Sequence, residues 1–282
     1  VMAESLQVSP PLGIKARKLV NAEKTLIWNK DIINEILYKD LRKISLYRDA
    51  SITGTINFLE SFILTKNLNV MEKLHTFLLL REKCIGEQIA VGSKKGNVNI
   101  DLSLIIDNIG TFDDISEAID VDGIKCVLNY PTKFNLGNTD FIFSLIESLD
   151  IDGEQITVSS LSKKEYNDVF DKLPESIFEY LTDFAQRNQS HFEVQAFKER
   201  EAMEIDEIRL NLLDGTLPTF INRLFDCVDS VNYREMLFIL CKRIPDISFL
   251  INCTYLEIED FYKLYADEVE KQNENLQNQN AS

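Results

Sequence analysis

The chain has 282 residues, of which 45% are hydrophobic and 27% charged, a composition that is ordinary for a globular protein of one or two domains. Only 10 glycines and 6 prolines are present, which excludes collagen-like and low-complexity chains. Acidic side chains number 46 against 30 basic ones, for a formal charge of −16. Because affinity for a phosphate backbone comes mainly from clustered Lys and Arg, we expect no nucleic-acid partner.

The five cysteines form no CxxC pair, and their odd number fits buried free thiols in a reducing compartment better than a disulfide framework. No apolar run approaches the length of about 18 residues that a membrane span requires. We therefore expect no membrane partner.

Residues 1–17 contain Pro10, Pro11 and Gly13 and no hydrophobic period, which predicts an extended arm. From residue 18 to residue 50, including Ile32 and Ile33, apolar residues recur at helical spacing. Residues 1–48 hold nine basic and five acidic side chains, a local charge of +4 that leaves −20 for the rest of the chain. This asymmetry fits either a solvated helix face or a basic arm that docks on an acidic neighbour, such as another copy.

Apolar stripes between residues 55 and 83 predict more helix, which Gly86 ends. The hydrophobic period then falls to two, and residues 88–91 and 97–102 predict a β-hairpin. Residues 124–130 predict a third strand, whereas 103–123 show little pattern. The region 87–132 is thus predicted to form one small antiparallel sheet.

The pattern beyond residue 132 predicts mostly helix. In chain order it indicates a helix over 138–149, a turn at 150–153 and a strand over 155–158. A capping box at 162–165 then opens a helix, and a further helix follows Pro174, with Phe178 among its inward residues. Residues 191–197 and 205–210 indicate a second hairpin. It then indicates an amphipathic helix over 217–228, a buried helix over 233–241, and a terminal helix from a capping box at 254–257 to about residue 271.

These elements predict an α+β fold, mostly helical with small antiparallel β-hairpin sheets and no internal repeat. The predicted organisation is an extended arm (1–17), an N-terminal helical region (18–86), a central α+β domain (87–197), a C-terminal hairpin and helical region (198–271) and a disordered tail (272–282).

No catalytic signature is present: the chain lacks a P-loop, GxGxxG after a strand, HExxH and GxSxG. Of the two histidines, His75 lies among leucines and is interpreted as a core residue, and His191 has no second ligand nearby. Acidic runs such as 150–153 lack the spacing of a calcium loop. We therefore predict no catalytic residues, no metal site and no cofactor.

Two elements are candidate partner-binding surfaces. The arm offers the basic residues Lys15, Arg17 and Lys18. The terminal helix concentrates the aromatic residues Tyr255, Phe261, Tyr262 and Tyr265. Aromatic residues serve cores and interfaces alike, so these four either seal the helix onto the core or bind a partner.

The order of several segments resembles the baseplate family of T-even-type contractile-tail phages over about residues 65–195. The segments that carry the resemblance are residues 74–87, the hairpin ending at 99–102, residues 124–132, the acidic turn 150–153, residues 161–166 and the helix after Pro174, with Gly86-Glu87 and Tyr130-Pro131-Thr132 among the best matches. Some relatives carry a Cys pair in the first hairpin. This chain has Gly92-Ser-Lys-Lys-Gly96 there, so no metal-pinned hairpin is expected.

The resemblance implies a non-enzymatic baseplate hub subunit or a hub assembly chaperone. As a virion component, the chain would reside in the tail baseplate, pass through the host cytoplasm during assembly, and bind other baseplate or tail proteins or further copies of itself. A transient chaperone absent from the mature virion fits the charge equally well. An alternative of another class is a carboxylate-dependent cell-wall hydrolase, for which the sequence offers no marked pair of acids.

Overall fold

The computed structural model describes residues 14–15, 32–33, 36–64, 68–93, 96–109, 114–137, 139–200, 204–225 and 230–280. As predicted, these residues form an α+β fold, mostly helical with small antiparallel sheets. The helices are α1 (Tyr38–Ala50), α2 (Ile52–Glu60), α3 (Val70–Cys84), α4 (Leu102–Asn108), α5 (Lys163–Phe170), α6 (Glu175–Arg187), α7 (Thr216–Arg223), α8 (Ser230–Leu240), α9 (Ile247–Ile251) and α10 (Tyr255–Asn280). The 3-10 helices are Thr139–Leu145, Val158–Ser160 and Gln189–Phe192.

Every strand pair is antiparallel. The strands are β1 (Ile14–Lys15), β2 (Ile32–Ile33), β3 (Gln88–Ser93), β4 (Gly96–Asp101), β5 (Glu117–Val121), β6 (Ile124–Leu128), β7 (Ile146–Ile151), β8 (Glu154–Thr157), β9 (Glu193–Arg200) and β10 (Glu204–Asn211). The hairpins β3-β4 and β9-β10 confirm the two sequence predictions. The largest sheet is the four-stranded meander β5-β6-β7-β8.

The prediction of one sheet over residues 87–132 is wrong. Among the described residues, β3 and β4 pair only with each other, whereas β6 pairs with β5 and β7 in the meander. The sequence analysis missed α4, which begins at Leu102 and continues into the segment 103–123 that shows little pattern, and β5, which lies within that segment. β5 is short and its side chains are only partly buried, so it leaves a weak hydrophobic period.

The meander contains a short internal repeat that the sequence analysis missed. Residues 117–128 align with residues 147–158, and the matches include Glu117 with Glu147, Asp120 with Asp150, and Asp122-Gly123 with Asp152-Gly153. Each Asp-Gly pair closes a two-residue hairpin with φ of 53° at Asp and 83° or 85° at Gly. Positive φ at both residues is the type I′ geometry that Asp-Gly favours. The two turns therefore project from the same end of the sheet.

Two predicted helices differ from the structure where it describes them. Of the predicted helix over residues 18–50, residues 18–31 and 34–35 lie outside the described residues, and α1 begins at Tyr38, where the N–H of Leu37 donates to Asp40 Oδ2 at 3.2 Å. Ile32 and Ile33 form β2 instead of helix. Over residues 138–149 a 3-10 helix ends at Leu145, and β7 follows because it pairs on both sides with β6 and β8.

A buried arginine joins the N-terminal helices to the C-terminal region. Arg81 on α3 is only 3% exposed. Its Nε donates to the carbonyl of Leu224 at 2.8 Å, Nη2 donates to Gln88 O at 2.8 Å, and Nη1 donates to Gly86 O. Gly86 has φ of +128°, a conformation that favours glycine, and a Cβ there would lie 3.6 Å from Leu256 on α10. Arg81 therefore fixes the turn that ends α3 and anchors the end of α7.

Three predictions about side-chain burial and helix length are wrong in the second half of the chain. Phe178 is exposed, because the buried face of α6 is formed by Ile177, Leu181 and Phe184. The helix predicted to be buried over 233–241 corresponds to α8, which is not buried on every side, because Phe238 is 68% exposed. The terminal helix continues to Asn280, through the residues predicted to be disordered.

Candidate partner-binding surface

The terminal helix α10 begins at the predicted capping box. The N–H of Thr254 donates to Glu257 Oε2 at 2.7 Å, and the N–H of Glu257 donates to Thr254 Oγ1 at 3.4 Å. These reciprocal bonds satisfy backbone donors that the first turn of a helix otherwise leaves open. The sequence therefore located the start of this helix correctly.

The first turns of α10 are fixed to the body of the protein. The N–H of Tyr38 donates to the carbonyl of Cys253 at 2.7 Å, and the rings of Tyr38 and Tyr255 stack at 6.2 Å. Ile258 is fully buried, and the ring of Phe261 lies 6.0 Å from that of Phe249 on α9. Tyr255 and Phe261, both candidate contact residues, are thus half-buried and pack largely within the chain.

Farther along, α10 leaves the body. Among the described residues, Arg243 in the segment after α8 still contacts α10 here: it forms an ion pair with Glu268 at 3.2 Å, and its guanidinium lies 5.9 Å from the Tyr265 ring centroid. From Glu270 to residue 278 every side chain is exposed. Tyr262 is exposed and Tyr265 half-buried, so these two candidate residues lie where the helix starts to present a free face.

A shallow, open groove of about 530 Å³ lies along this face of α10. The described residues that line it all belong to α10 and include Tyr262, Tyr265, Val269, Glu270 and Glu274. Positions spaced by alternating three and four residues share one side of a helix, so the stripe that buries Ile258 continues into this groove. The groove is therefore an extension of the buried face of α10 beyond the body.

Exposed apolar side chains cluster in the same region of the chain. Six of the twelve large hydrophobic residues found exposed lie beyond residue 207, and these are Phe238, Ile247, Phe249, Tyr262, Leu264 and Leu276. The ammonium of Lys242 lies 4.8 Å from the Phe238 ring centroid. The sequence analysis missed four of these six and placed Phe238 inside, because a helix that is apolar on every side gives no signal for which side is exposed.

The candidate arm residues are only partly within the structure. Lys15 lies in the two-residue strand β1, opposite Ile32 of β2. Arg17 and Lys18 lie outside the described residues. Within the described residues, the arm is therefore joined to the following segment by the β1-β2 pair. None of the arm's basic residues is placed on α10 there.

Burial keeps three titratable core groups uncharged at neutral pH. Burial lowers the pKa of His75 from 6.5 to about 4, so this side chain is neutral in the folded protein. Burial also raises the pKa of Cys126 and of Cys253 to about 11, which keeps both thiols protonated and poorly nucleophilic. Hydrogen bonds from Ser162 lower the pKa of Glu165, as the capping box on α5 predicts.

Within the described part of the chain, no three His, Cys, Asp or Glu side chains converge as a metal site would need. Across the same residues, no helix combines the length and the apolar character that crossing a bilayer requires.

A family model described as T4 bacteriophage base plate protein matches residues 28–207, which is more than half of the chain. The match covers the four-stranded meander, the hairpin β3-β4 and the hairpin β9-β10 as far as residue 207, and it leaves out the whole arm and the helices α7 to α10. No curated protein and no solved structure matches the chain significantly.

Proposed function

Because the chain belongs to the T4 bacteriophage base plate protein family, we propose that it is a structural subunit of the hub region of a contractile-tail baseplate. It binds other baseplate or tail proteins through its surface and catalyses no reaction. It is made and assembled in the host cytoplasm and remains in the virion tail.

The observation that carries this proposal is the exposed apolar surface of the C-terminal region. Phe238 and Leu264 are 68% and 66% exposed, and Leu276 near the end of α10 is 57% exposed. Soluble monomers rarely leave large clustered apolar side chains in water, and clusters of this kind mark protein–protein contacts. The acidic side chains that surround them on α10 favour a partner with basic groups.

The test is quantitative mass spectrometry of purified virions beside a lysate of infected cells. A fixed, small-integer copy number in the virion is the expected result for a structural subunit. Presence in the lysate but absence from virions would contradict the proposal and identify a transient assembly chaperone.

The arm is the second proposed contact element, over residues 1–20. An unpacked segment with prolines gains order by docking on a neighbour. Deletion of residues 1–17 is expected to impair baseplate assembly while the circular-dichroism spectrum of the purified protein stays unchanged. Loss of the fold would show instead that the arm, including the Ile14–Lys15 strand, belongs to the core.

A non-enzymatic role predicts that the purified protein does not lyse cell walls. Turbidity of a peptidoglycan suspension is expected to stay constant on addition of the protein. Clearing of the suspension would contradict this part of the proposal and would support the alternative of a carboxylate-dependent cell-wall hydrolase.

A further inference from the structure

A small cleft in the family-matched body is lined by aromatic rings from two elements. It has a volume of about 200 Å³. The described residues that line it are Phe143 on the 3-10 helix Thr139–Leu145, Tyr166, Asn167 and Phe170 on α5, and Asp171 directly after α5. Pockets for drug-sized ligands hold about 300 to 1,000 Å³, so this cleft has room for a single side chain instead.

The rings around the cleft pack on one another and reach from the core to the surface. The ring centroid of Phe170 lies 4.8 Å from that of Phe143 and 4.1 Å from that of Tyr166. Tyr166 and Phe170 are buried, and Phe143 is half-buried. Phe178 on α6 is 46% exposed, and its ring centroid lies 6.3 Å from that of Phe143. The aromatic residues of the cleft are therefore held in place by packing within the chain, next to an exposed aromatic side chain.

The surroundings of the cleft favour a positive charge. The face of an aromatic ring attracts cations. Asp171 adds an exposed carboxylate at the C-terminal end of α5, where the helix dipole already leaves a partial negative charge. A carboxylate at this end of a helix is destabilising, and a bound cation offsets that effect. Over residues 165–179 the chain carries five acidic side chains and one basic one, a net charge of −4.

The same ring cluster already holds one cation of the chain itself. Lys133 Nζ lies 3.4 Å from the ring centroid of Tyr166. Lys133 is not among the described residues that line the cleft, and none of those residues is basic. The cluster thus binds an ammonium group at Tyr166, and the cleft beside Phe143 and Asp171 offers a second position, for a cation supplied by another molecule.

Arginine fits this cleft better than lysine. Its planar guanidinium stacks on aromatic faces and carries five N–H donors in fixed directions, so it can bond the carboxylate of Asp171 and the side-chain oxygen of Asn167 together. The ammonium of lysine is a compact, strongly hydrated charge, which costs more to remove from water. Arginine is also enriched, with aromatic residues, among the side chains that dominate binding energy at protein interfaces.

We propose that this cleft binds the side chain of one arginine of a baseplate partner. The guanidinium lies over the ring of Phe143 and donates hydrogen bonds to the carboxylate of Asp171 and to the side-chain oxygen of Asn167. The partner surface around that arginine covers Phe178. The identity of the partner as a baseplate protein rests on the proposed function, whereas the binding of arginine in the cleft does not.

The test is a titration of the purified full-length protein with N-acetyl-arginine amide, followed by NMR of protein labelled in its phenylalanine rings. The signals of Phe143 and Phe170 are expected to shift and to saturate. The variant Phe143→Leu identifies the Phe143 signal by its loss and is expected to bind the probe severalfold more weakly. N-acetyl-citrulline amide, which has nearly the same shape without the charge, is expected to leave both signals in place.

The charge of the cleft is tested with Asp171→Asn, which is expected to weaken binding of the probe severalfold. The matched control is Asp168→Asn, which makes the same change on α5 outside the cleft lining and is expected to bind as the unmodified protein does. Equal binding by Asp171→Asn and Asp168→Asn, equal shifts with the citrulline probe, or no saturable shift of the two rings would overturn the proposal.

A lysine or a second copy of the chain is excluded by two further measurements. N-acetyl-lysine amide is expected to bind more weakly than the arginine probe, and tighter binding would overturn the choice of arginine. Dilution of the protein alone is expected to leave the Phe143 and Phe170 signals in place. A change on dilution would overturn the proposal, because the occupant would then come from a second copy. No phage component takes part in these titrations, so their failure leaves the virion copy number, which tests the baseplate role, unaffected.

Discussion

The family-matched body and the shorter C-terminal region each expose six large hydrophobic side chains among the described residues, so such residues are denser in the C-terminal region. In the body, α3 buries most of its length, and even Arg81 is enclosed and bonded to three carbonyl groups. Beyond residue 207, α8, α9 and α10 expose Phe238, Ile247 and Leu264. This difference is what we expect if the body is specified by its own packing and if, as proposed, the C-terminal region binds a baseplate partner.

The link between the two regions is the place where the largest effect is expected. Arg81→Met removes three hydrogen bonds and leaves the buried carbonyl of Leu224 and the partly buried carbonyls of Gly86 and Gln88 without this donor. We expect a loss of about 3 to 5 kcal/mol in the free energy of unfolding, measured by urea denaturation.

The matched control for Arg81 is Arg187→Met. Arg187 forms ion pairs with Glu117 and Asp183, but all three side chains are well exposed to solvent. Because such surface ion pairs contribute little to the free energy of unfolding, the urea midpoint of Arg187→Met is expected to stay close to that of the unmodified protein. Equal losses in the two variants would show that Arg81 does not join the regions.

The body should also lose stability in mild acid, through His75. Because burial lowers the pKa of His75 from 6.5 to about 4, only the unfolded state takes up its proton as the pH falls below about 6.5. The contribution of neutral His75 to the free energy of unfolding is therefore fully present above pH 6.5. It is lost between pH 6.5 and about pH 4, by about 3 kcal/mol in total.

The measurement compares unfolding free energies of the unmodified protein and His75→Gln across this pH range. The difference between the two curves is expected to shrink as the pH falls. A His75→Gln curve parallel to that of the unmodified protein would show that His75 is accessible to protons in the fold.

The two capping boxes offer a smaller, matched comparison between the regions. Ser162 caps α5 in the body, and Thr254 caps α10 in the C-terminal region, each with a glutamate three residues later. Ser162→Ala and Thr254→Ala are each expected to cost about 1 kcal/mol in the free energy of unfolding. No loss for Thr254→Ala alone would mean that α10 is held by its packing on the body and not by its cap.

Local chemistry made part of this fold predictable from the sequence. The capping boxes at Ser162 and Thr254 and the turn at Asp152-Gly153 act through neighbouring residues, so the pattern alone located them. The family, too, was recognisable from short segments, and the family match over residues 28–207 confirms a T4-type baseplate protein.

The other features of the fold and of the candidate site depend on contacts between residues far apart in the sequence, which no local pattern predicts. Ile146 fits a helical stripe, but β7 forms because strands from both sides pair with it. Phe238 lies in a run of apolar residues, and only the packing of α8 on α10 decides which side stays in water. The groove on α10 was likewise not predictable from the sequence, because its aromatic residues fit a core as well as an interface.

The most direct test of the account compares Leu264→Ser with Leu46→Ser in phage whose own copy of the gene is disabled. Leu264 lies on α10 and Leu46 on α1, and they are 66% and 64% exposed. Both substitutions are expected to change the free energy of unfolding by less than about 0.5 kcal/mol. Quantitative mass spectrometry of purified virions should then show a reduced copy number for Leu264→Ser and an unchanged one for Leu46→Ser. Full incorporation of Leu264→Ser would contradict the claim that the C-terminal region is completed by a baseplate partner.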